Sequence, residues 1–137
     1  MRLPCGKNGA NIIAMTVDTN ILIAYLAGEE SVVSFLNEHL QSGRALFLPA
    51  TVQSELLSFS ELTPQEVRAI DAFLSSGFVF VPVDQAVSRL AATIRRTIKI
   101  KMPDATIAAT ALLTNSPLLT RNVKDFKDVP RLAVLTV

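Results

Sequence analysis

The sequence predicts an α/β fold built on a central parallel sheet. Short apolar, β-branched runs alternate with longer stretches of helical periodicity along most of the chain. Its 137 residues suit one domain around one core. No linker, repeat or low-complexity tract interrupts the alternation.

Ile12 to Val17 is rich in β-branched residues and reads as a buried strand. Thr19 to Ala27 reads as a helix, started by the Asp18-Thr19-Asn20 turn and stopped at Gly28. Ser31 to Gln41 places Val32, Phe35, Leu36 and Leu40 on one helical stripe that ends at Gly43. Ala45 to Leu48 is a second strand, closed by Pro49, and Ala50 to Phe59 is a helix carrying Glu55. Thr63-Pro64-Gln65-Glu66 combines a capping threonine, a proline at the first helical position and a glutamate at the third. That helix should run to Leu74 and stop before Gly77. Phe78 to Val83 is a third strand, and Asp84 caps a helix continuing to Ile98. Pro103 precedes an alanine-rich helix over 104–114, with Asp104 expected as its N-cap. Leu118 to Thr120 is a short fourth strand, Asp125 adjoins a turn, and Leu132 to Val137 supplies a last strand. Strands joined through helices form a parallel sheet with right-handed crossovers. Such sheets bind ligands beyond the carboxyl ends of their strands.

Hydrophobic residues at 50% and charged residues at 18% exclude a disordered chain. The mean hydropathy of +0.40 leaves two readings open: a tightly buried core, or apolar surface covered by a partner or second subunit. A net charge of +1 does not announce a nucleic-acid binder. The distribution says more. Eight of the thirteen basic residues lie between Arg95 and Arg131: Arg95, Arg96, Lys99, Lys101, Arg121, Lys124, Lys127 and Arg131. Only Asp104, Asp125 and Asp128 oppose them in that stretch. This is either an ordinary solvated helix face or a basic rim suited to a polyanion.

The single cysteine, Cys5, excludes an internal disulfide, and with one histidine it excludes a zinc cluster. This fits a reducing, cytoplasmic setting. His39, in the polar segment Asn37 to Gln41, reads as an ordinary surface histidine, so no histidine-based acid–base mechanism is expected. The glycines are scattered and form no phosphate loop. No apolar run reaches the roughly 18 residues needed to cross a bilayer. Residues 2–9 lack periodicity and look loose; an N-terminal extension over 1–14, not read as a signal peptide, is expected ahead of a domain over 15–137.

Four acids stand where apolar segments break or helices begin: Asp18, Glu55, Asp104 and Asp125. Each has a structural reading of its own. Asp18 and Asp104 suit helix caps, Glu55 a solvated helix face and Asp125 an exposed loop. Together they suggest more. Carboxylates in apolar surroundings cost free energy, and four that converge repel one another unless they share a cation. A hard divalent ion with oxygen ligands meets that need.

The motifs Val17-Asp18-Thr19-Asn20, Ser54-Glu55-Leu56, Pro103-Asp104-Ala105-Thr106-Ile107-Ala108-Ala109-Thr110-Ala111 and Leu119-Thr120-Arg121-Asn122-Val123-Lys124-Asp125-Phe126 stand in this order along the chain. In order and spacing they resemble the PIN-domain ribonucleases, especially the short toxin nucleases of type II toxin–antitoxin systems. The resemblance implies a three-layer α/β/α domain over 15–137. It also implies an endoribonuclease that uses Mg²⁺ or Mn²⁺ and leaves 3′-hydroxyl and 5′-phosphate ends. Asp18, Glu55 and Asp104 carry over as metal-site acids. The fourth position falls to Asn122 or Asp125, of which Asp125 is preferred as the only anion. Asn20 and Thr120 match polar helpers that orient the carboxylates. Arg95, Arg96, Lys99 and Arg121 are expected phosphate contacts. A homodimer and a small antitoxin are the implied partners, the antitoxin resting on exposed Ile, Leu, Tyr and Phe of the helices at 19–27 and 31–41. The chemistry is consistent: a carboxylate-held divalent ion neutralises a phosphodiester, acidifies a water and supports in-line displacement. Two rivals are a degenerate module that grips RNA or protein without cutting, and a phosphohydrolase with an aspartate nucleophile. Asn20 argues against the second, which needs an acid at that place.

Overall fold

The structure, a computed structural model, describes residues 14–137. The expected extension falls almost wholly outside the described residues, as do Ile12 and Ile13 of the first expected strand.

The elements follow the expected order: β1 (Ala14–Val17), α1 (Thr19–Leu26), α2 (Glu30–Gln41), β2 (Ala45–Pro49), α3 (Ala50–Leu57), α4 (Pro64–Gly77), β3 (Val79–Val81), α5 (Gln85–Thr97), α6 (Met102–Leu113), β4 (Leu118–Leu119), α7 (Val123–Phe126) and β5 (Val134–Leu135). The five strands form one sheet in the order β3-β2-β1-β4-β5, every pair parallel, with helices packed around it. β1 lies at the centre because Met15, Val17 and their neighbours Leu46, Leu48, Leu118 and Leu119 are fully or almost fully enclosed. Each such side chain contributes roughly 1.5–3 kcal/mol by leaving water.

Local chemistry explains the helix limits. Asp18 caps α1 by accepting the Thr19 backbone N–H. Gly28 then turns the chain with a φ of +80°, a left-handed conformation that glycine adopts without Cβ strain. At α4 the capping box is complete, with Thr63 accepting the Glu66 N–H and the Glu66 carboxylate accepting the Thr63 N–H. These bonds hold the Glu66 carboxyl below its ordinary value. Buried Ala105, Ala108, Ala109 and Ala111 let α6 approach β1 and β2 closely.

Four expectations are corrected. Asp104 is not the N-cap of α6: Lys101 is, and Asp104 sits within the first turn, because Pro103 is accommodated inside the helix start rather than before it. His39 is not on the surface. It is 5% exposed, packs against the Phe35 ring, and its Nδ1 donates to the Phe35 carbonyl 3.0 Å away. Tyr25 and Phe35 are half-buried against the core instead of exposed, and Tyr25 stacks on Phe73 of α4. The last strand is also shorter than expected.

Candidate metal centre

A parallel sheet gathers the ends of its strands along one edge, and register does the rest. Val17 of β1 lies opposite Leu119 of β4, so the next residues, Asp18 and Thr120, are neighbours. The Thr120 hydroxyl donates to Asp18 Oδ2 at 2.7 Å. Asn20 Nδ2 donates to the same oxygen at 3.1 Å, and the Thr19 N–H reaches Oδ1 at 2.8 Å. Asp18 is only 4% exposed, so these bonds offset its lost hydration. They fill three of a carboxylate's roughly four acceptor sites and leave Oδ1 room for one more partner.

Thr120 is itself fixed, accepting from the Asn122 N–H at 2.9 Å and from Asn20 at 3.3 Å. The Asn20 side-chain Oδ1 accepts the Arg121 backbone N–H. The loop after β4 is thus tied to the loop after β1.

Glu55 lies on α3, which follows β2, the strand beside β1. Its Oε1 accepts the Thr19 hydroxyl at 2.6 Å. Sequence reasoning gave Thr19 no role, since a threonine in a helix's first turn is ordinary; its place next to Asp18 was the available signal. The helices bearing Glu55 and Asp104 are also joined, through Thr51 and Thr106 hydroxyls 2.7 Å apart.

Asp104 is the outlier. No hydrogen bond among the described residues reaches its carboxylate. Burial first, and then the charges of Asp18, Asp125 and Glu55, push it up to about 6, against a smaller opposing pull from Lys101. Each neighbour is near enough to make its ionisation unfavourable. Asp104 borders two depressions. One, of about 410 Å³, is lined by Asp18, Thr19, Asn20, Ile23, Glu55, Ser58, Phe59 and Asn122. The other, of about 470 Å³, holds Asp125 and Asp128 among basic residues. Both readings of the fourth position therefore lie beside Asp104, Asn122 on one side and Asp125 on the other.

The donor set fits a small divalent cation. Among the described residues, no group of three or more Asp, Glu, His or Cys side chains is arranged to hold a metal ion by itself. Mg²⁺ does not require such a group, because it keeps several waters and takes few protein oxygens. The half-buried Asp104 carboxylate, without a donor and crowded by three acids, lacks the counter-charge such an ion would bring.

The basic residues separate. Arg95 and Lys99 line the cavity beside Asp104 and Asp125. Arg96 does not line it and instead donates to Thr93. Arg121 forks onto Glu29 at 2.8 and 3.0 Å and donates from Nε to the Val137 backbone oxygen. Its hydrogen bond holds Glu29 below the usual carboxylate range.

An all-parallel sheet with Asp18, Glu55 and Asp104 lining one depression at its strand ends defines a class: a small α/β domain with an acidic pocket there. The chain belongs to the PIN domain family, which matches residues 15–132. It is 31% identical over 121 residues to ribonuclease VapC19 of Mycobacterium tuberculosis, covering 85% of this chain and 94% of that protein. A solved toxin–antitoxin complex from Klebsiella pneumoniae contains a chain of the same fold, with TM-score 0.72 and 30% identity, covering 89% of this chain and 96% of that one. The crystal structure of VapBC2 from Rickettsia felis, bound to a DNA fragment from its promoter, matches with TM-score 0.77 at 24% identity, covering 90% and 98%. This last likeness is one of fold.

Proposed function

We propose that this chain is a Mg²⁺- or Mn²⁺-dependent endoribonuclease and the toxin of a toxin–antitoxin pair acting in the cytoplasm. One observation carries the reading: a half-buried, hydrogen-bond-deprived Asp104 crowded by Asp18, Glu55 and Asp125 at the strand ends. Its relatives' names, ribonuclease VapC among them, supply the substrate class.

Asp18, Glu55 and Asp104, with Asp125 or Asn122, would hold the ion. Bound there, it supplies neutralisation of the phosphodiester charge and acidification of a water. The chain does the rest. Thr19, Asn20 and Thr120 lock the Asp18 and Glu55 carboxylates in one orientation, so little reorganisation remains when substrate arrives. Ile23 and Phe59 supply apolar walls beside the acids.

The antitoxin reading rests on a second groove of about 340 Å³, lined by Ile23, Leu26, Leu56, Phe59, Leu62, Glu66, Ala69 and Ile70. Ile23 and Phe59, 42% and 45% exposed, wall both this groove and the acidic one. An apolar partner seated there would stand over the site. The face lies between α1, α3 and α4, so α2 contributes nothing to it. Exposed Val79 and Phe80 on edge strand β3 favour a second covered surface, consistent with a homodimer.

The test is direct. The purified protein should cut RNA in Mg²⁺ or Mn²⁺ and stop in EDTA, and Asp18→Ala should be inactive yet folded by circular dichroism. Absence of turnover at every metal concentration would favour a non-catalytic binding module.

A further inference from the structure

Two depressions meet at Asp104, and they differ in charge. The one containing Asp18 and Glu55 has no lysine or arginine in its lining. The other, of about 470 Å³, is lined by Arg95, Lys99, Lys101 and Lys124 together with Asp104, Asp125 and Asp128. Three of the four cations, Arg95, Lys99 and Lys101, come from the end of α5 and the segment leading into α6, and the fold brings Lys124 of α7 to join them.

None of these four side chains makes a hydrogen bond or ion pair among the described residues. The contrast with Arg121, forked onto Glu29, and Arg96, bonded to Thr93, is direct. Isolated cations around a concavity, next to acids they do not touch, leave space for an anion between them. If Asp104 and Asp125 serve a metal, only Asp128 remains to oppose the four. The walls include the apolar Ile98 and Ile100, which lower local hydration and strengthen charge–charge attraction.

We propose that this cavity is the binding site for an RNA backbone phosphate adjoining the one that is cut. Resting on the ribonuclease reading, this orients the substrate. The strand crosses Asp104 with one neighbouring phosphate held by Arg95, Lys99, Lys101 and Lys124, while the nucleotide on the other side lies in a groove without cations. Arg96 and Arg121 are not part of this grip.

The experiment measures binding of a short fluorescein-labelled single-stranded RNA of mixed sequence in EDTA, over a range of salt. Lys99→Ala/Lys124→Ala should weaken binding about tenfold or more at low salt. It should also lower the slope of log affinity against log salt by about 0.7 per charge removed. Arg44→Ala/Arg68→Ala removes the same charge elsewhere and should change neither. Unchanged affinity and slope in the lysine variant, in a protein that still cuts RNA with Mg²⁺, would overturn the subsite and leave the ribonuclease reading standing. A wild type that neither binds nor cuts RNA would sink both. Competition by a short poly-glutamate peptide as effective as unlabelled RNA would mark a general anion surface and also overturn the proposal.

Discussion

Asp104 shows how a functional residue opposes the fold that holds it. Its carboxyl titrates near 6 rather than at its ordinary 3.8, so the folded metal-free protein binds a proton there that the unfolded chain releases. The group's contribution is therefore most favourable below pH 3.8, declines as pH rises, and is lost above about 6. In EDTA, Asp104→Asn should unfold at higher temperature than wild type at pH 7.5, with the gap closing towards pH 4. The same variant should lose cleavage entirely. Lower stability at pH 7.5 would mean that the carboxylate is structural. Thr19 works through another residue, orienting Glu55 by a charge-assisted bond. Thr19→Val should raise the Mg²⁺ concentration for half-maximal cleavage by about tenfold or more, as loss of such supporting contacts does. Thr19→Ser should restore it, whereas a merely structural role would lower stability without moving the metal dependence.

At the scale of elements, the turn between α1 and α2 sets the angle of both helices and presents Glu29 to Arg121. Gly28 has open space where a Cβ would stand, so the obstacle to substitution is backbone conformation alone. Gly28→Ala should cost roughly 1–2 kcal/mol in urea unfolding, while RNA cleavage per folded molecule stays close to wild type. A neutral outcome would show that the turn relaxes. The helices themselves were readable because their caps and stripes are local: Asp18, the Thr63–Glu66 box and Asp84 all bond within three residues. His39 was misread although a local signal existed. It continues the buried Val32 and Leu36 stripe at helical spacing, and its polarity masked its position.

For the whole molecule, an ion that binds the folded state but not the unfolded one stabilises it by mass action, about 2.7 kcal/mol at a hundredfold excess over its Kd. Mg²⁺ or Mn²⁺ should therefore raise the melting temperature of wild type, and Asp18→Ala should erase the rise. Equal shifts in both proteins would place the ion elsewhere.

The sequence by itself determined the alternation of strands and helices, the parallel sheet it demands, and the acids that interrupt apolar context, because each depends on chemistry within a few residues. Only the tertiary structure decided which of them meet. Strand register sets Thr120 beside Asp18 across a separation of 102 residues, and helix packing brings Thr19 to Glu55 across 36. It also drew Arg121 away to Glu29 while leaving Lys101 and Lys124 facing the cavity. Charges act through space, and a linear chain carries no record of that distance until the core has closed.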